Sequence, residues 1–115
     1  MPNKVIEMKP PKPVGRTIIN PKTSFIHQHC EELEAMLNEN IDHGKTEIIL
    51  DCKSVSFMDS EGLELLITVH EKLNKVGGKL KLCGLNKVSR DIFLATRLIN
   101  VLQVYEDIQK AVTDG

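Results

Sequence analysis

Asp59-Ser60-Glu61-Gly62 lies between a short apolar run, Glu47-Ile48-Ile49-Leu50-Asp51, and a long amphipathic segment from Leu63 to Val76. The run reads as a buried strand and the segment as a helix. Asp and Ser at a strand-to-helix junction cap the helix and set a small hydroxyl beside backbone N–H groups, where an anion is favoured. Ser60 is thus a candidate switch as well as a candidate cap. Gly62 in the first turn costs about 1 kcal/mol against Ala. It either clears space for an approaching partner or packs against a neighbouring strand.

Other chemistry at these positions fails on spacing. A hydrolase elbow, G-x-S-x-G, needs glycine at position 58, and Met58 stands there. A phospho-aspartate receiver needs an acidic cluster after its first strand to hold magnesium, but that region is Lys9-Pro10-Pro11-Lys12. His27-Gln28-His29-Cys30 does not converge on one helix face and lacks a fourth ligand, so no metal is expected and Cys30 reads as a core thiol. Ser89, near the start of a later helix, is a second phosphosite candidate on exposure alone.

The elements that must position Ser60 follow from periodicity and punctuation. Val5–Met8 and Thr17–Ile19 are strand candidates, separated by a proline-rich connection that admits at most an edge strand. Ile26, Cys30, Leu33, Leu37 and Ile41 form one helical stripe, ended by Asp42-His43-Gly44. In the second helix Leu63, Leu66, Val69, His70 and Leu73 mark the inner face, and Gly77-Gly78 ends it. Lys79–Cys83 alternates with period two, which predicts a half-covered strand with Lys79 and Lys81 on its wet face. Asn86 caps a third helix running to about Thr96, Val101–Tyr105 is a last strand, and Asp107–Val112 a short final helix. Strands alternating with helices give an α/β fold: a mixed central sheet of about four or five strands packed with about four helices.

The chain has 115 residues, is 41% hydrophobic and carries a net charge of −1, which fits one domain over 1–115 with an irregular or edge-strand segment at 1–15. Without a basic excess, and with one Tyr, three Phe and no Trp, nucleic-acid binding is not expected. Cys30, Cys52 and Cys83 match no metal or disulfide spacing and read as reduced thiols. The N-terminus has no apolar leader and no run approaches membrane-spanning length, so a cytoplasmic protein without membrane association is expected.

Ile49-Leu50-Asp51, Val55-Ser56-Phe57-Met58-Asp59-Ser60 and Gly62-Leu63 together resemble the signature of the STAS domain, named for sulfate transporters and anti-sigma factor antagonists. The similarity runs from about Ser24 to Asp107 and is strongest to the stand-alone bacterial antagonists. It implies a non-enzymatic protein-binding switch with no cofactor of its own. Its partners would be an ATP-binding serine kinase/anti-sigma factor, bound when Ser60 is unphosphorylated, and a cognate phosphatase. The implied partner-binding residues are Asp59, Ser60, Glu61, Gly62 and Glu64, on a monomer or weak dimer. The alternative is a constitutive scaffold subunit in which Ser60 is only a helix cap. This chain departs from the pattern twice. The acid that antagonists usually carry before the first helix falls on Ile26, and the usually small or hydroxylated residue after the phosphoacceptor is Glu61.

Overall fold

In the computed structural model, which describes residues 15–114, a strand β1 (Gly15–Ile19) leads into helix α1 (His27–Asp42) and strand β2 (Lys45–Asp51). A 3-10 turn at Cys52–Ser54 precedes α2 (Ser60–Lys75), followed by β3 (Lys79–Cys83) and α3 (Lys87–Ala95). A second 3-10 turn at Leu98–Asn100, β4 (Gln103–Tyr105) and α4 (Ile108–Thr113) complete the order. The strand expected at Val5–Met8 and the proline connection lie outside the described residues. Gly15, expected in the irregular segment, already belongs to β1.

The four strands lie in sequence order β1-β2-β3-β4, and every pairing among the described residues is parallel. Parallel neighbours joined by right-handed crossovers place the connecting helices on one face of the sheet. The main core forms there, where Ile48, Leu50, Leu80 and Leu82 meet Leu33 and Leu37 of α1, Leu66, Val69 and Leu73 of α2, and Phe93 of α3. Leu65 of α2 is also buried, whereas Leu63, expected inside, is half-buried at the edge of this core. The turns follow local chemistry: Gly44 and Gly77 take φ of 84° and 77° just past α1 and α2, and Asn86 and Asp107 accept from Ser89 N and Lys110 N to cap α3 and α4.

The opposite face is covered by α4, whose Ala111, Ile108 and Val112 pack with Ile49, Cys83 and Tyr105. That helix overturns the wet-face reading of Lys81, which is 0% exposed. Its ammonium pairs with Glu47 Oε2 at 3.0 Å and donates to the carbonyls of Ala111, at 2.8 Å, and Asp114. Arg16 grips the other Glu47 oxygen at 3.0 Å and donates to the Val112 carbonyl at 3.1 Å. Carbonyls at a helix C-terminus have no partner inside the helix and carry negative partial charge, so two cations there close α4 onto the sheet. Burial pushes the Glu47 carboxyl up, but the hydrogen bonds and charges of Arg16 and Lys81 together hold it below its ordinary range. Ser89 is likewise corrected: at 1% exposure it lies inside the fold, so exposure no longer supports it as a phosphosite.

Candidate functional site

Two loops lead into the N-termini of α1 and α2, and they are stitched together. Phe25 N donates to the Phe57 carbonyl at 2.9 Å and Asp59 N donates to the Phe25 carbonyl at 3.0 Å, a one-residue parallel bridge between Phe25 and Met58. Both side chains are buried, at 2% and 1% exposure, so the bridge is anchored in the core. The hydroxyls of Ser24 and Ser56 add a bond at 3.0 Å. The result is that two helices start side by side.

Asp59 holds both starts. Its Oδ1 accepts from Gly62 N at 2.9 Å, capping α2, and its Oδ2 accepts from His27 N, the first N–H of α1, at 2.9 Å. The bonds from Gly62 N and His27 N keep this carboxyl below its ordinary value. Ile26 offers α1 no side-chain cap, and that helix start is served across the loop by Asp59. Sequence reasoning gave Asp59 one helix; it caps two.

Because Asp59 is the cap, Ser60 is not. It is the first residue of α2, exposed, and its hydroxyl takes no hydrogen bond among the described residues. Glu61 and Glu64 are exposed on the same helix, and Phe57, 47% exposed, sits just before it. Glu61 Oε1 pairs with His27 Nδ1 at 2.5 Å, a contact that nothing in the spacing of the two residues announced.

Of the two readings of Gly62, the geometry supports packing. A Cβ there would stand 2.0 Å from the Phe25 carbonyl oxygen and 2.7 Å from its carbon. The missing side chain lets α2 close on the Phe25 backbone, and the residue is buried, so it clears no space for a partner. Cys30 is half-buried on α1; burial, then the carboxylates of Asp59, Glu61 and Glu34, push its thiol up. Cys52 and Cys83 are buried free thiols pushed up to about 12 and about 11, mainly by desolvation. No three His, Cys, Asp or Glu side chains converge as a metal site among the described residues, and no helix there is long and apolar enough to cross a membrane.

Residues 6–111 match the family model of the STAS domain. The chain belongs to the STAS domain family. Among curated STAS relatives, BtrV of Bordetella bronchiseptica, assigned as an anti-sigma factor antagonist, is 30% identical over 66% of each chain. The anti-sigma F factor antagonist of Paenibacillus polymyxa is 25% identical over 87% of this chain and 86% of its own. Among solved structures, the one assigned as an anti-sigma factor antagonist in Thermotoga maritima superposes with a TM-score of 0.80 at 19% identity, over 84% of both chains. SpoIIAA, the Bacillus cell fate determinant, superposes in its phosphorylated form with a TM-score of 0.66 at 24% identity, over 86% of this chain and 88% of its own. Its unphosphorylated form gives the same TM-score at 23% identity, over 86% of each chain. The α/β architecture of the described residues is that of these neighbours.

Proposed function

We propose that this STAS domain is an anti-sigma factor antagonist that acts as a phosphorylation-controlled binding switch, with Ser60 as phosphoacceptor. The observation that carries the reading is the exposed Ser60 hydroxyl at the first residue of α2, left free because Asp59 does the capping. The relatives assigned as antagonists, and the existence of SpoIIAA in both phosphorylation states, support it. Unphosphorylated, the domain binds a serine kinase/anti-sigma factor of the ATP-binding type through Asp59, Ser60, Glu61 and Glu64. ATP and magnesium belong to that partner, and a cognate phosphatase restores the hydroxyl. The chain itself is a cytoplasmic binding protein.

The physics fits a switch that spares the fold. A phosphate on Ser60 carries about −1.5 to −2 charges at pH 7. At a helix N-terminus such charge is favoured by about 0.3–2 kcal/mol. Buried at an interface without a cationic partner it costs several kcal/mol, and each ~1.4 kcal/mol is tenfold in affinity. Ser60→Ala should therefore keep partner binding and lose phosphorylation, while Ser60→Asp weakens binding at least about tenfold with little change in melting temperature. Co-purification with mass spectrometry of Ser60 identifies the partner for this comparison. Equal affinity of wild type and Ser60→Asp sinks the switch.

A further inference from the structure

His27 brackets Ser60. Its backbone N–H is bonded to Asp59 and its imidazole to Glu61, so both chain neighbours of Ser60 are tied to this one residue of α1. A phosphoryl group on Ser60 is flanked in the chain by the carboxylates of Asp59 and Glu61, and like charges nearby oppose it. Among the side chains bonded to Asp59 and Glu61 in the described residues, His27 alone can carry positive charge.

The imidazole is 74% exposed, so it has room to turn. It lines a hollow of about 500 Å³ between α1 and α2 together with Cys30, Glu31, Glu34 and Glu61. The titratable groups facing it are therefore Glu31, Glu34 and Cys30 from its own helix, and Asp59 and Glu61 from the start of α2. Three glutamates and an aspartate thus stand around the ring, and burial, then Asp59, Glu61 and Glu34, push the Cys30 thiol up. The pair with Glu61 is a surface pair, held weakly and easily exchanged. A phosphate dianion, with more charge than a carboxylate and three acceptor oxygens, is the stronger acceptor for the same N–H.

We propose that His27 is the receiving group for phosphate on Ser60: on phosphorylation its imidazolium leaves Glu61 for the phosphoryl oxygens, giving the phosphorylated form a counter-charge that depends on pH. This deepens the switch reading and rests on it. Glu61 holds the histidine at the start of α2 in the unmodified state, and Asp59, capping α1, fixes where that histidine begins. The sign is set by linkage. A neighbouring dianion raises the proton affinity of His27, so the contact is complete below the ordinary histidine range and fades as pH rises through the raised value.

The test uses the full chain with phosphoserine installed at position 60 during translation, so that it needs no kinase. Proton–carbon NMR titration follows all four histidines. The His27 midpoint should rise by about 0.5–1 unit on phosphorylation, with His43 and His70 unmoved. By reciprocity the second ionisation of the phosphate, read by phosphorus NMR, should fall, and His27→Gln should bring it back up. An unchanged His27 midpoint in the phosphorylated protein, or a phosphate midpoint that is the same in wild type and His27→Gln, overturns the proposal. Failure of the switch reading shows elsewhere: a partner that binds the phosphoserine protein as tightly as the unmodified one defeats that reading, whatever His27 does.

Discussion

At Lys81 a cluster of charges closes a helix C-terminus under cover; at Asp59 another closes two helix N-termini in the open. Each sets charged side chains against the unpaired groups of helix ends. They differ in what surrounds them. Lys81 and Glu47 are 0% and 8% exposed, beneath α4, while His27 and Glu61 keep 74% and 54% of their side-chain surface. A buried ion pair recovers its desolvation cost only while every member is in place, so losing one member is expensive. An exposed pair is worth little and exchanges partners freely. The first arrangement suits a fixed scaffold, and the second tolerates a change of charge at the surface.

The contrast breaks most easily at Lys81. Lys81→Met leaves Glu47 buried against Arg16 alone and takes the donor from the last carbonyls of α4. The expected cost is about 3 kcal/mol, read as a fall of roughly 10 °C or more in melting temperature. Adding Glu47→Gln should recover part of it. A melting temperature unchanged by Lys81→Met would mean that the covered cluster holds nothing.

Next in size is Gly62→Ala, which drives a methyl into the Phe25 carbonyl. Backbone on both sides resists the shift, so destabilisation of about 2–3 kcal/mol is expected by chemical denaturation. Partner binding per folded molecule should survive if the glycine matters only for packing.

Acid titration separates the two clusters. The carboxyls of Glu47 and Asp59 are both held below their ordinary values of 4.5 and 3.8. A depressed carboxyl stabilises the fold fully above its unfolded value and loses that contribution as pH falls through the lower, folded one. Stability should thus decline below about pH 4.5, and Glu47→Gln should flatten more of that slope than Asp59→Asn. The reverse order would show that the double cap, not the buried cluster, carries the acid sensitivity.

The smallest effect belongs to Glu61. Glu61→Ser removes a carboxylate beside the Ser60 hydroxyl and should speed phosphorylation by the cognate kinase several-fold at low salt, less as salt screens it. A slower variant would make Glu61 a recognition contact for that kinase and not a source of repulsion.

Most of the frame was legible because it is local. The stripe of α1, the positive-φ Gly44, and the caps Asn86 and Asp107 are decided within a few residues, and the elements follow them closely. Lys81 was not legible. Lys-Leu-Lys-Leu in a strand reads as one wet and one dry face until a helix about thirty residues later returns over the wet one. Ser89 was missed for the same kind of reason, since its burial depends on how α3 sits on the core. At the candidate site, the place of Ser60 at the start of α2 was legible from its junction. The second duty of Asp59 and the approach of His27 were hidden because both depend on the bridge between Phe25 and Met58, residues far apart in the chain.

The return of α4 also orders events in a growing chain. Besides Glu47 on the neighbouring strand, the Lys81 ammonium takes two carbonyl acceptors that lie 30 and 33 residues downstream of it. A nascent chain that has made β1, β2 and β3 still keeps a lysine facing outward, hydrated and reluctant to be covered. The helix-covered core can condense in that interval, but the second face stays wet until Ala111 and Asp114 are available. Covering of the second face therefore waits on the last described helix, whereas the hydrogen bonds that join the two helix starts at the Ser60 junction are made between residues 24 and 62.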